Sequence, residues 1–82
     1  MYRTERETIR ARRYRVIADH ATVRTQPRQD GEVLWRLSKG EEWVGVETIG
    51  GGFNAPGFGS STTWISHDGH HVWGGYLQEI TE

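Results

Sequence analysis

Residues Ala21 to Val46 read ATVRTQPRQDGEVLWRLSKGEEWVGV, and their spacing constrains the fold more than any other feature of the chain. Ala21 to Arg24 reads as extended chain, Gln26 to Gly31 as a polar loop around Pro27, and Glu32 to Leu37 as a strand. Ser38, Lys39 and Gly40 then turn the chain into a further strand, Glu41 to Thr48, which carries Trp43, Val44 and Val46. Upstream, Tyr14, Val16 and Ala18 alternate with Arg15 and Ile17, the period of a strand. Short strands recurring between turn signals predict an all-β barrel or sandwich.

A second signal fixes a register. Asp68-Gly69 between two extended runs specifies a tight hairpin, because both central residues of that turn need positive φ. His67 then faces His70, Ser66 faces His71, Ile65 faces Val72 and Trp64 faces Trp73. Side chains alternate along a strand, so Ile65 and Val72 share one face with the 67/70 histidines, while Trp64, Trp73, Ser66 and His71 share the other. With Ile65 and Val72 in the core, Trp64 and Trp73 are expected to point outward as an aromatic patch. Tyr76, Phe53 and Phe58 extend that patch if the segment carrying the phenylalanines folds over it. Trp43 and Trp35, which shares a face with Val33 and Leu37, are expected in the core.

The runs VRTQP, VLWRL and SKGEEW resemble the bacterial SH3-like family, which has an extended VRxxP segment, a V-I/L-x-x-L strand and a K-G turn before an apolar strand. Val23, Arg24, Pro27, Val33, Leu34, Leu37, Lys39 and Gly40 fall on that pattern. Val72, Tyr76 and Leu77 in VWGGYL match the family's closing segment, where His71 replaces a frequent tryptophan. The resemblance spans roughly residues 14 to 80. It implies a small five- to six-stranded SH3-like barrel at 14–82 and a module that binds peptides or cell-wall fragments rather than an enzyme. Two features depart from the pattern: residues 1–13 precede the barrel, and a glycine-rich segment, Ile49 to Ser61, reads as an inserted loop with Gly50 to Gly52 as hinge material.

Charge divides the chain. Residues 1 to 15 carry +4 and the remainder −5, a basic arm on an acidic body. Arg6, Arg10, Arg12, Arg13 and Arg15 make that arm suited to docking on an acidic partner or a second copy, through forces that fade with salt. Thr4 and Glu7 have capping-box spacing and predict a short helix through about Arg13. An 82-residue chain without cysteine has neither disulfides nor thiolate metal sites to supplement a small core, which makes self-association an option. MYRTERETIRARR lacks the apolar stretch of a signal peptide, and no run is long enough to span a membrane. The expected location is the cytoplasm at synthesis, with later incorporation into a virion or other assembly as one fate.

Chemistry finds little purchase. His67, Asp68, His70 and His71 are the one cluster resembling a metal site, but His71 should face away from the 67/70 pair and zinc wants three or four ligands. Ser38, Ser60, Ser61 and Ser66 lie outside any nucleophile-elbow context. Asp19 and His20 are adjacent on extended chain and point to opposite faces. No metal, cofactor or catalytic group is therefore expected. The leading expectation is a non-enzymatic module whose ligand-binding residues are Trp64, Trp73, Tyr76, His71, Phe53 and Phe58, taking an extended peptide or a cell-wall peptide or glycan. The alternative is a structural subunit, for example of a phage particle, knitted to other subunits by the arm and the glycine-rich loop. Nucleic-acid binding through the arm ranks third, because the body is acidic and lacks a basic stripe.

Overall fold

The computed structural model describes residues 11–81. These form β1 (Arg12–Val16), β2 (His20–Arg24), β3 (Val33–Ser38), β4 (Glu42–Ala55), β5 (Gly59–His67) and β6 (His70–Trp73). A 3-10 turn at Gly74–Tyr76 leads into β7 (Leu77–Glu79). All seven strands belong to one antiparallel sheet in the order β3-β2-β6-β5-β4-β1-β7. The all-β expectation holds. The count and closure do not, because there are seven strands rather than five or six, and β3 and β7 at the two ends of the order do not pair, so the sheet is not closed into a barrel. The chain breaks at Ile17–Asp19, making β1 and β2 separate strands, and the β3–β4 turn fills that break: Lys39 N–H donates to Asp19 O and Gly40 N–H to Val16 O.

Alternation along the strands builds one core from a single face of the sheet. Tyr14, Val16, Ala21, Val23, Leu37, Trp43, Ile65, Val72 and Leu77 are buried together there. Trp43 is in this core as expected, its indole N–H donating to Ile65 O at 3.0 Å. Burial pushes the Tyr14 phenol above its ordinary pKa, Glu47 and Glu79 add to the rise, and Arg12 opposes it.

Trp35 differs from expectation. It pairs with Val23 and shares the core side, yet remains 44% exposed. β3 ends the strand order and is distorted by a bulge opposite Val23 and Arg24, so its indole is covered from one side only, by Trp43 and His70 in edge-to-face contact.

The glycine-rich segment is not a loop. β4 and β5 extend through it as a hairpin that turns at Pro56–Phe58, with Gly57 and Gly59 at positive φ. Between Ile49 and Phe53 the register shifts: Ile49 faces Thr63 and Phe53 faces Ser61, so β4 carries two more residues than β5. Gly50 to Gly52 occupy this bulge. A Cβ on Gly50 would lie 2.2 Å from Pro27 O and 2.9 Å from Trp64 Cδ1. Glycine is required there for close approach, not as a hinge, and Gly51 N–H donates to Pro27 O at 2.8 Å.

The basic arm is also redrawn. Arg12 and Arg13 lie in β1 rather than at the end of a helix, while Thr4, Glu7, Arg6 and Arg10 lie outside the described residues. Arg12 pairs with Glu79 at 3.6 Å, and Arg13 and Arg15 both pair with Glu42, at 3.2 and 3.6 Å. Among the described residues no helix is long and apolar enough to cross a membrane.

Candidate functional site

The Asp68-Gly69 turn fixes the site. Both residues have positive φ, and the pairs 67/70, 66/71, 65/72 and 64/73 form as the dipeptide predicts. Trp64 and Trp73 therefore sit on the face opposite Ile65 and Val72. They are not exposed: Trp64 is 1% and Trp73 2% accessible. The bulge at Gly50–Gly52 turns the distal part of the β4–β5 hairpin back over the indoles, and Ala55 and Phe53 pack against them in a second cluster with Tyr76.

Backbone carbonyls of the hairpin satisfy both indole donors. Trp64 Nε1–H donates to Gly51 O at 2.8 Å and Trp73 Nε1–H to Ser61 O at 3.0 Å. The Trp73 ring also lies over its own 3-10 turn, where a Cβ on Gly75 would stand 2.2 Å from it. A larger residue at either contact would displace the ring.

The aromatic side chains expected to act together do meet. Phe53 packs edge-to-face on Trp73 with centroids 4.8 Å apart, Trp73 on Tyr76 at 5.0 Å, and Phe58 on Tyr76 at 5.2 Å. Phe58 is the outermost of these rings. His71 stands apart from them, its Nδ1 sharing a 2.6 Å hydrogen bond with the Ser66 hydroxyl. Burial, and secondarily the neighbouring His70, hold its pKa below the ordinary histidine value.

These rings enclose a cavity of about 150 Å³ lined by Thr22, Arg24, Phe53, Trp64, Trp73 and Tyr76. Phe53 also lines a wider groove of about 630 Å³, together with Gln29 and the hairpin residues Gly52, Asn54, Ser60, Ser61 and Thr62. Phe53 is thus common to an aromatic cavity and a groove bearing hydroxyl and amide side chains.

Thr22 and Arg24 escape the sequence reading. Arg24 is visible in VRTQP, but only the β2–β6 pairing, which sets Arg24 beside His71 and Val23 beside Val72, carries it to the tryptophans. Its Nη1 donates to Gly31 O at 2.9 Å, holding the guanidinium at the cavity wall.

Among the described residues, no three His, Cys, Asp or Glu side chains gather closely enough to hold a metal ion. His67 and His70 do adjoin across the hairpin, as the register predicts. In comparisons with known proteins, the chain matches no family model, no curated protein and no solved structure.

Proposed function

We propose that this chain is a non-enzymatic, SH3-like binding module that takes an extended peptide, or a cell-wall peptide or glycan, across its aromatic cavity and the adjoining groove. The observation that carries this reading is the pairing of the two recesses around Phe53. Small-molecule pockets commonly measure about 300–1,000 Å³, so a cavity near 150 Å³ suits one side chain or the edge of a sugar ring. The wider groove, which presents hydroxyl and amide groups beside apolar surface, suits the flanking units of an extended chain, which loses little entropy on docking. The strand order and the 3-10 turn before the last strand support an open relative of the SH3-like arrangement.

The assembly reading draws less support. Its glycine-rich element is a hairpin packed on the chain's own tryptophans, and three of its arm arginines are already paired with Glu42 and Glu79. The same pairings weaken nucleic-acid binding, which needs unneutralised basic groups.

Extended peptides and soluble cell-wall fragments should be titrated while the indole N–H resonances of Trp64 and Trp73 are followed. Saturable shifts are expected, with affinity falling at least about tenfold in Tyr76→Ala. Binding that leaves both resonances unmoved, or that is unaffected by Tyr76→Ala, would place the ligand elsewhere and remove this reading.

A further inference from the structure

We infer that the aromatic cavity recognises a carboxylate, so that the ligand is an extended peptide presenting a carboxylate beside an apolar side chain. This rests on the binding reading above and narrows its ligand class.

The inference starts from the charges. Arg12, Arg13, Arg15 and Arg28 each have a carboxylate partner within the chain: Glu79, Glu42, Glu42 and Asp30. Arg24 and Arg36 have no carboxylate partner among the described residues, and of the two only Arg24 is partly buried and lines a cavity, otherwise walled by Thr22 and four aromatic rings. A guanidinium has five N–H donors in a planar fork. Arg24 uses Nη1 on Gly31 O, which tethers the guanidinium while leaving further donors for a ligand.

The walls strengthen the effect. Charge pairs attract more strongly where aromatic surface excludes water than in open solvent. Arginine also matches the two oxygens of a carboxylate with parallel hydrogen bonds, which a lysine cannot reproduce. Thr22 adds a hydroxyl on the same wall. The rings meanwhile offer an apolar surface to the neighbouring side chain of the ligand. A tethered charge, an adjacent threonine and aromatic walls together make a site for an anionic group on an apolar carrier.

The carboxylate has two sources, a peptide's own C-terminus or an acidic side chain, and one set of probes separates them. The full chain is titrated with Ac-Ala-Ala-Phe as free acid and as amide, and with amide-capped Ac-Ala-Glu-Phe and Ac-Ala-Gln-Phe, reading the Trp64 and Trp73 indole N–H signals. Preference of about tenfold or more for the free acid over its amide identifies a C-terminal carboxylate, and the same preference for Glu over Gln identifies a side chain; either supports the inference. The preference should shrink with added salt.

Arg24→Met should abolish the preference for charged over neutral peptides, whatever its effect on the affinity common to both. Because this change also removes the bond to Gly31 O, Arg24→Lys serves beside it, expected to fold and to keep only part of the preference. Equal affinity for charged and neutral peptides, or an undiminished preference in folded Arg24→Met, overturns the carboxylate inference and leaves the binding module standing. Failure of every probe, neutral or charged, to move the two indole signals overturns both.

Discussion

On one face of the sheet, nine residues from all seven strands meet directly, each on the side that alternation assigns to it. On the other face, Trp64 and Trp73 are buried just as fully, but mainly by one hairpin that leaves its own strand path and returns over them, with Tyr76 of the 3-10 turn closing the side. The first core follows from periodicity. The second depends on one bulge, three glycines and two indole hydrogen bonds to backbone. A sheet face that periodicity marks as outward can thus become a second core when a neighbouring hairpin is long enough to cover it, and its outer margin then supplies a cavity.

The most severe way to break this comparison is to empty each face in turn. Trp64→Ala should cost about 3–5 kcal/mol, and Ile65→Ala about 2–5 kcal/mol, in urea unfolding. A domain of this size commonly has about 5–15 kcal/mol in total, so both variants should be marginal. A loss below about 1 kcal/mol for Trp64→Ala, as expected of a surface residue, would mean that the outer cluster is not a core.

The bulge is tested next. Gly50→Ala places a methyl group against Pro27 O and the Trp64 ring, and should cost about 1–3 kcal/mol through overpacking. Gly52→Ala meets only Thr62 Cγ2, at 3.9 Å, and should fall within about 0.5 kcal/mol of the parent. Equal effects at the two positions would show that glycine acts there through flexibility rather than close approach. Between these two falls Trp35→Ser, expected near 1 kcal/mol because the half-exposed ring gives up its aromatic contacts with Trp43 and His70.

The smallest expected effect is a pH slope from the outer face. The fold favours the neutral His71 ring, so below the ordinary histidine pKa, about 6.5, the unfolded chain binds more protons. This contribution is fully present above that value and is lost as pH falls through the window down to the lowered one. Urea midpoints of the parent should decline across that window, and His71→Gln should flatten the decline. An unchanged slope in His71→Gln would place the titrating group elsewhere.

The hairpin at Asp68-Gly69 was legible because a two-residue turn with a φ requirement dictates register, and register dictates which side chains share a face. The members of the aromatic group were legible for the same reason. Their burial was not, since alternation assigns a face without saying what lies over it. Gly50 to Gly52 misled the reading: glycine lowers strand propensity, and only the position of Pro27 in space reveals that the run permits close contact. Trp35 carried the period of a core residue, but being last in the strand order depends on topology, which local pattern does not encode. Arg24 was hidden similarly, its neighbours being set by a pairing between segments far apart in sequence.

Three of the four tryptophans donate their indole N–H to a backbone carbonyl and are nearly inaccessible, whereas Trp35 is open to solvent. Emission from the folded chain should therefore divide into a blue-shifted, quencher-resistant component and a red-shifted component that iodide removes. Because Trp35 lies on β3 and the resistant component includes the cavity pair, the two colours report on separate regions. Ligand in the cavity would alter the blue signal, while anything that covers β3 would protect the red one, giving an optical assay for each without a label.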